Sequence, residues 1–391
     1  RQPVADRPVP EVGHDYPEQC DCQSGKQYVG ENLVLHDAPQ ALLRTAVIAQ
    51  RAYQKVTIEE AADTGMPAPQ ETFDRRAIPA SATESRFVLP DGHAIRRIDW
   101  PGSGGGKRGS ILFLPGRGDF YEKYLETLDH WHGEGWRVTA ADWRGQAGSG
   151  RLGGDAVTGH VADFTNWTTD LAQLWRAWKE DTPGPHVLAG HSMGGHLVMR
   201  ALVDGQVDPD AAVLSAPMIG MAGPPLPLGL LHMVARLMTR IGDPRRQAWK
   251  WSEKPGEMPA DRNALLTHDG GRYADELWWR EQRPELVMGP GSWGWVERAY
   301  ASVRHLARKG MLETVHVPVL VLSTAADRLV SHAAAVRAAE RLPQGELIAF
   351  GDEARHEILR EVDPVRARAI SQIILERSKL PGDQRLDDIR L

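Results

Sequence analysis

Cysteine is nearly absent from the 391-residue sequence. The two cysteines, Cys20 and Cys22, are one residue apart, so a bond between them would close no useful loop, and two thiols do not complete a zinc site. We interpret both as free thiols on an N-terminal arm and expect a fold that needs no disulfide bond. The scarcity of thiols outside this arm fits a reducing compartment or simply a fold that needs no disulfide bonds. Because we see neither a signal peptide nor a membrane-spanning segment, we expect a cytoplasmic protein.

Long hydrophobic runs and an excess of basic charge are missing as well. No stretch approaches the roughly 18 apolar residues of a membrane-spanning helix, and residues 1–21 lack the continuous apolar segment of a secretory signal. The formal charge of −6 and the pI near 6.2 provide no basic footprint for nucleic acid. Hydrophobic residues at 41% and charged residues at 25% are typical of a globular protein. The sequence therefore predicts a globular protein without a nucleic-acid partner.

Short apolar runs alternate with helical patterns from about residue 85 onward. The predicted strands are 86–89, 94–100, 111–114, 137–141, 186–189, 212–214, 317–322 and 346–350. The predicted helices are 121–132, 161–179, 193–203, 332–342 and 364–380. Apolar strands separated by helices predict an α/β fold with a mostly parallel sheet covered on both faces.

The alternation defines five segments of the chain. An N-terminal extension, 1–72, carries one helical pattern over 38–62. A core predicted over 73–216 and 304–380 is interrupted at 217–303 by a segment with an amphipathic helix over 228–241, six tryptophans and no buried-strand run. A short tail, 381–391, follows. We interpret the interruption as an inserted helical lid between two strands of the sheet.

The chemistry centres on GHSMGG at 190–195, which follows a predicted strand and opens a predicted helix. A serine in a tight, Gly-flanked turn between strand and helix stands exposed for attack, and the helix N-terminus beside it favours negative charge. Ser192 is therefore the predicted nucleophile. A structural serine in a Gly-rich turn is the alternative.

A serine nucleophile needs a histidine base, and the base needs a carboxylate that orients it. Asp327 lies just beyond the strand over 317–322, and His356 lies in the loop after the last strand, in the order Ser, acid, His. Asp327 could instead merely cap the next helix, and Asp352 is the second candidate acid. We interpret His191, next to the nucleophile, as a packing residue.

Acyl transfer also needs donors for the oxyanion of the tetrahedral intermediate. The main-chain N–H of Met193, the residue after the nucleophile, is one predicted donor. The main-chain N–H of Arg117, in the Gly-flanked turn after the strand over 111–114, is the other. A plain turn at Arg117 is the alternative.

With these residues placed, positions 73–380 closely resemble the lysophospholipase and monoacylglycerol lipase branch of the α/β-hydrolases. The matching stretches are LPGRGDF at 114–120, DWRGQ at 142–146, GHSMGG at 190–195, the Asp327 and His356 segments, and MGPGSWGW at 288–295. The resemblance implies an α/β-hydrolase fold, a serine esterase acting on a lysophospholipid or monoacylglycerol, and no metal or organic cofactor. Two positions depart from the pattern: Pro115 stands where the family often has His, and Ala147 where Gly is common.

The apolar face of the helix over 228–241 has two interpretations. It packs inward on the core, or it lines a tunnel for an acyl chain and touches a membrane surface transiently when the lid opens. On the second interpretation Leu231, Leu237 and Trp293 contact the substrate.

Two other functions use the same residues. A proline iminopeptidase-like aminopeptidase would need carboxylates for the substrate ammonium, for which the predicted lid offers Glu276, Glu281 and Glu285, though exposed carboxylates on helices are usually only solvated. An acyltransferase would share the whole triad. A catalytically silent binding protein is the remaining alternative, against which the presence of all three triad residues counts.

Overall fold

One eight-stranded sheet organises the computed structural model, which describes residues 73–102, 108–223, 226–250 and 262–375. The strands are β1 (Thr83–Val88), β2 (Ala94–Trp100), β3 (Ser110–Leu114), β4 (Arg137–Ala141), β5 (His186–His191), β6 (Ala211–Ser215), β7 (Val319–Thr324) and β8 (Gly345–Phe350). Their order across the sheet is β1-β2-β4-β3-β5-β6-β7-β8. Strands β1 and β2 pair antiparallel, and β4, β3, β5, β6, β7 and β8 run parallel. The predicted α/β fold with a mostly parallel sheet is confirmed.

The central strands are continuous apolar runs because helices cover both faces of the sheet. Every residue of β3, β5 and β7 is buried. In β7 the strand begins at Val319 and extends to Thr324, two residues beyond its predicted end. That extension carries the chain to the carboxyl edge of the sheet just before Asp327.

Helices fill the connections between the strands. They are α1 (Leu125–Gly133), α2 (Phe164–Asp181), α3 (Met193–Val203), α4 (Leu228–Arg240), α5 (Asn263–Leu266), α6 (Gly270–Gln282), α7 (Trp293–Ala307), α8 (His332–Arg341) and α9 (Asp363–Leu375). Side chains accept from main-chain N–H groups at several N-termini, as Asp163 does for α2 and Ser331 for α8. The helix predicted over 38–62, both cysteines and the tail 381–391 lie outside the described residues.

The described residues between β6 and β7 contain helices α4 to α7 and no strand of the sheet; we call this part the helical insertion. Helix α4 packs on α7, but of its own side chains only Ala235 is buried. Six large apolar side chains in and beside α4 are more than a third exposed: Leu226, Leu230, Met233, Val234, Leu237 and Ile241. Within the described ranges no helix combines the length and apolarity that a membrane crossing requires.

Candidate active site

Ser192 lies in the turn between β5 and α3 with φ of 52° and ψ of −115°. A positive φ is unfavourable for a residue with a side chain, so surrounding packing must hold it. The glycines of the motif permit that packing: a Cβ at Gly194 would lie 2.3 Å from the main-chain oxygen of Leu114. The glycine at position 194 therefore lets α3 approach β3 closely enough for Ser192 to be held in its strained turn.

The structure brings the three predicted triad residues together. His356 Nε2 lies 3.0 Å from Ser192 Oγ, and His356 Nδ1 lies 2.7 Å from Asp327 Oδ2. Burial raises the pKa of Asp327, but the hydrogen bond with His356 and the N–H groups of Val330 and Leu329 outweigh it, so the pKa is lowered. Asp327 is thus a carboxylate whose two oxygens have different partners. Its Oδ2 contacts His356, and its Oδ1 accepts hydrogen bonds from the main-chain N–H groups of Leu329 and Val330 at 2.8 and 2.9 Å. The other candidate acid, Asp352, is exposed in the turn after β8.

The turn after β3 packs directly against the candidate nucleophile. A Cβ at Gly116 would lie 3.1 Å from the Cβ of Ser192, so only glycine leaves the turn this close. The main-chain N–H of Gly118, two residues after Gly116, donates to Gln146 Oε1 at 2.7 Å and fixes this end of the turn. Arg117 therefore lies in a turn beside Ser192, and Met193 opens α3, where main-chain N–H groups have no partner within the helix.

The side chain of Arg117 extends from this turn to the helical insertion. Its guanidinium donates to the main-chain oxygen of Gly289 at 2.7 Å and lies 5.1 Å from the ring centroids of both Trp249 and Trp295. Cation–π contacts and a charge-assisted hydrogen bond hold it there. Arg117 thus joins the sheet edge to the insertion, a role that the sequence did not indicate.

A cavity of about 580 Å³ opens over Ser192 and His356, within the usual range of about 300–1,000 Å³ for ligand pockets. Most of its apolar lining comes from the insertion, namely Met218, Met221, Leu231, Val234, Trp249, Trp293 and Trp295, and the segment after β7 adds Leu329 and Val330. Leu231 and Trp293 were predicted to lie here. Leu237 was too, but its side chain is 55% exposed and does not line the cavity. That part of the prediction is corrected, because the two leucines point to different sides of α4.

Two buried side chains, Glu276 and His191, differ from the character expected of them. Glu276, expected to be solvated on a lid helix, is fully buried on α6 with Lys123 Nζ 2.9 Å away. Lys123 is itself buried and also contacts Asp119 and Glu357. His191, interpreted as packing, makes polar contacts at both ring nitrogens. A charged residue is normally expected at the surface, so nothing in the local sequence pattern distinguished Glu276 and Lys123 from solvated residues.

Known proteins share this architecture. The sequence profile of the family described as serine aminopeptidase, S33, matches residues 105–363. Lysophospholipase L2 of Escherichia coli K12 is 32% identical over 300 residues, which cover 71% of this chain and 84% of that protein.

Solved structures agree with the fold at lower sequence identity. A soluble variant of monoglyceride lipase from Saccharomyces cerevisiae is 18% identical with a TM-score of 0.60, covering 79% of this chain and 98% of its own. A carboxyl esterase from Bacillus coagulans is 16% identical with a TM-score of 0.60, covering 77% and 99%. The profile match and the identity to the E. coli protein establish the family, and the structures establish the fold. The chain belongs to the serine aminopeptidase S33 family and is a serine hydrolase with the α/β-hydrolase fold.

Proposed function

We propose that the protein hydrolyses lipid-like carboxylic esters through an acyl-enzyme on Ser192. The observation that carries the proposal is the hydrogen-bonded row Ser192 Oγ, His356 and Asp327 at the floor of a largely apolar cavity. Ser192 Oγ attacks the ester carbonyl carbon while His356 Nε2 takes the hydroxyl proton, and Asp327 offsets the charge of the imidazolium. His356 then returns that proton to the departing alcohol.

Deacylation reverses the roles with water. His356 removes a proton from the water, the hydroxide adds to the acyl carbon, and Ser192 Oγ leaves with the proton that His356 carries. In both halves the carbonyl oxygen becomes negative. The main-chain N–H groups of Met193 and Arg117 are the proposed donors to it, since one opens a helix and the other lies in the turn against Ser192.

The cavity supports an acyl chain on the substrate. Three tryptophans, two methionines and aliphatic side chains form its walls, and each methylene buried there contributes about 0.8 kcal/mol. The relative from E. coli is named a lysophospholipase and the yeast relative a monoglyceride lipase. Both names fit a long-chain ester, one with a phosphate in its head group and one without.

Two cationic side chains favour the phosphate-bearing lysophospholipid over the neutral monoacylglycerol. Arg117 and Arg262 both line the cavity that contains Ser192. The acidic lining residues Asp119 and Glu357 contact Lys123 at 2.6 and 2.5 Å, and Glu357 also pairs with Arg360, so both carboxylates have cationic partners of their own. A cavity with this balance attracts a phosphate more than a neutral glycerol.

The exposed face of α4 supports a transient contact with a membrane surface. Val234 and Trp249 are 46% and 44% exposed and also line the cavity, so the apolar surface is continuous with the cavity. Arg236 and Arg240 on the same helix are exposed and would face anionic head groups. A lipid bilayer is therefore the proposed occupant of this face, and the substrate would enter the cavity from it.

The aminopeptidase alternative lacks an anchor for a substrate ammonium. Glu276 is buried in ion pairs with Lys123, Arg280 and Arg360. Glu281 and Glu285 are exposed and do not line the cavity. No contact among the described residues favours a peptide over an ester.

Activity-based labelling tests the proposal. Wild-type protein should react with a fluorophosphonate at Ser192 and hydrolyse p-nitrophenyl acyl esters in preference to an amino-acid p-nitroanilide. Ser192→Ala should abolish labelling and lower ester turnover by at least about 10⁴-fold, because binding alone cannot replace the nucleophile. Full labelling of the variant would reject Ser192.

Parallel assays on a lysophospholipid and a monoacylglycerol of equal chain length would then rank the head groups, with the lysophospholipid expected first. A sedimentation assay tests the membrane contact: Met233→Asp should reduce binding to vesicles containing anionic lipid. Equal binding of variant and wild type would reject α4 as the contact surface.

A further inference from the structure

His191 lies beneath the catalytic base of the proposed mechanism. It is 1% exposed, and its ring centroid is 4.8 Å from that of His356. His191 Nε2 lies 3.3 Å from the main-chain oxygen of His356. A carbonyl oxygen only accepts, so His191 donates this hydrogen bond. The contact therefore holds the backbone of the base, whereas Asp327 holds its ring.

The opposite nitrogen of His191 lies beside two groups. Nδ1 lies 3.0 Å from Asp119 Oδ2 and 2.8 Å from the hydroxyl of Tyr124. The Tyr124 hydroxyl and the N–H of Gly116 both donate to that carboxylate oxygen, at 2.9 and 3.2 Å. One oxygen of Asp119 thus connects the turn beside Ser192, the imidazole under His356 and the tyrosine behind them.

Lys123 fixes Asp119 from the other side. Its ammonium contacts Asp119 at 2.6 Å, Glu357 at 2.5 Å and Glu276 at 2.9 Å. Glu357 is the neighbour of His356, and Glu276 belongs to α6 of the helical insertion. Burial alone would raise the pKa of Asp119, but Lys123 and His191 hold that pKa well below its usual range. The group is therefore a charged, fully packed unit that spans the turn, the base loop and the insertion.

Such a unit is poorly explained by stability alone. Desolvating buried charges costs several kcal/mol per ion, and well-packed apolar side chains of similar volume often serve as well or better. Hydrogen-bonded charges do fix geometry, and catalytic groups must be held within about 0.5 Å of their productive position.

We propose that His191 and Asp119 are positioning residues, which hold the main chain at His356 so that its imidazole remains aligned with Ser192. The inference rests on the proposed function, since it assigns these residues to the orientation of the proposed base. His191 acts on the reaction only through His356.

Two variants of His191 separate positioning from packing. His191→Leu keeps most of the volume but removes the donor to His356. It should lower kcat for a soluble p-nitrophenyl ester about 30- to 100-fold, the scale expected for a 1 Å misplacement, with KM changed less than about threefold. Fluorophosphonate labelling of Ser192 should slow by a similar factor. His191→Gln, whose amide can donate in place of Nε2, should recover to within about tenfold of wild type.

The same strand provides a matched control. His186 begins β5 as His191 ends it, is also buried, and its Nε2 bonds a main-chain oxygen, that of Thr182, at 2.9 Å. His186→Leu should lower the unfolding temperature comparably while kcat stays within about threefold of wild type. If His191→Leu retains wild-type kcat, or if His191→Gln falls as far as His191→Leu, the positioning role is wrong.

Tyr124→Phe serves if His191→Leu does not fold. It removes only the hydroxyl that contacts Asp119 and His191, keeps the ring that packs 4.7 Å from Phe113, and should lower kcat about three- to tenfold. An unchanged kcat for this variant would overturn the proposal. The proposed function fails in a different way, namely if the wild type neither labels at Ser192 nor cleaves any ester.

Discussion

Helices α3 and α4 have similar lengths and opposite environments. Of the 11 residues of α3, which follows Ser192, ten are buried, whereas of the 13 residues of α4 in the helical insertion only Ala235 is. The helix behind the nucleophile cannot shift without disturbing the sheet. Helix α4 packs on α7 and leaves seven of its 13 residues exposed, so the molecule places a densely packed helix behind Ser192 and a largely solvent-exposed helix beside the cavity.

This contrast predicts that substitutions at the sheet edge reduce the rate of the chemical step, and that substitutions in the insertion change substrate choice. The largest expected effect is at the sheet edge. Asp327→Asn should leave the protein folded but reduce kcat about 10³- to 10⁴-fold, because the imidazole of His356 loses its orientation and counter-charge. Steady-state kinetics on a soluble ester measure it. Asp352→Asn is the control and should cost far less; the reverse ranking would make Asp352 the acid.

In the insertion the expected change is in chain-length preference. For the wild type, kcat/KM should rise about a hundredfold as the acyl chain lengthens by three or four methylenes, at about 0.8 kcal/mol each. Leu231→Asp should flatten this rise, because its side chain lines the cavity. Leu237→Asp should keep the slope, since that side chain is 55% exposed and outside the lining. A wild-type slope in both variants would show that Leu231 does not contact the acyl chain.

Acid should destabilise the core through its buried carboxylates. Burial would raise the pKa values of Asp119 and Glu276, but both are lowered from their ordinary values of 3.8 and 4.5, because Lys123, His191 beside Asp119 and the arginines beside Glu276 outweigh burial. Because folding lowers these pKa values, their stabilisation is present above pH 4.5 and is lost as the pH falls through the folded values.

Lys123→Met weakens that effect, because the carboxylates lose their shared cation and Glu276 keeps only its arginine partners. The unfolding temperature of the variant should therefore be well below that of the wild type at pH 7, and the difference between the two temperatures should be smaller at pH 3.5. Arg236→Met on exposed α4 is the control, with a small difference at both pH values. Thermal unfolding at the two pH values tests it; a constant gap for Lys123→Met would contradict the lowered pKa values.

The smallest effect concerns the turn of DWRGQ in the core. Ala147 is buried with φ of 45°, a conformation that glycine adopts more readily than a residue with a Cβ. Ala147→Gly should change the free energy of unfolding by less than about 1 kcal/mol, because relief of strain offsets the added freedom of the unfolded chain. Ala147→Val, β-branched at a positive φ, should cost about 1–3 kcal/mol. Chemical denaturation of both variants measures the difference; equal stability would argue against strain at this turn.

The sheet and the position of the triad residues followed from local patterns. Buried parallel strands are apolar along their whole length, so β3, β5 and β7 stand out in sequence. Ser192, Asp327 and His356 each follow a strand, and the carboxyl ends of parallel strands meet at one edge. Their mutual distances required the structure.

What the sequence could not indicate involves contacts between distant positions. Lys123 pairs with Glu276 and Glu357 across 153 and 234 residues, and each side chain alone resembles a solvated charge. Leu237 was misplaced for a different reason. At about 100° per residue, it lies some 120° around the helix from Leu231. Because α4 is apolar on several sides, its sequence alone does not indicate which side faces the cavity.

The exposed face of α4 has a consequence for the protein in concentrated solution. Apolar surface left in water carries a free-energy cost of about 25 cal/mol per Å², and contiguous patches of this kind promote association. Two copies that cover each other's α4 would relieve that cost, as the proposed contact with a lipid surface would. Sub-micellar detergent would relieve it without assembly. One helix of 13 residues, more than the net charge of −6, should therefore set the concentration at which the protein remains monodisperse.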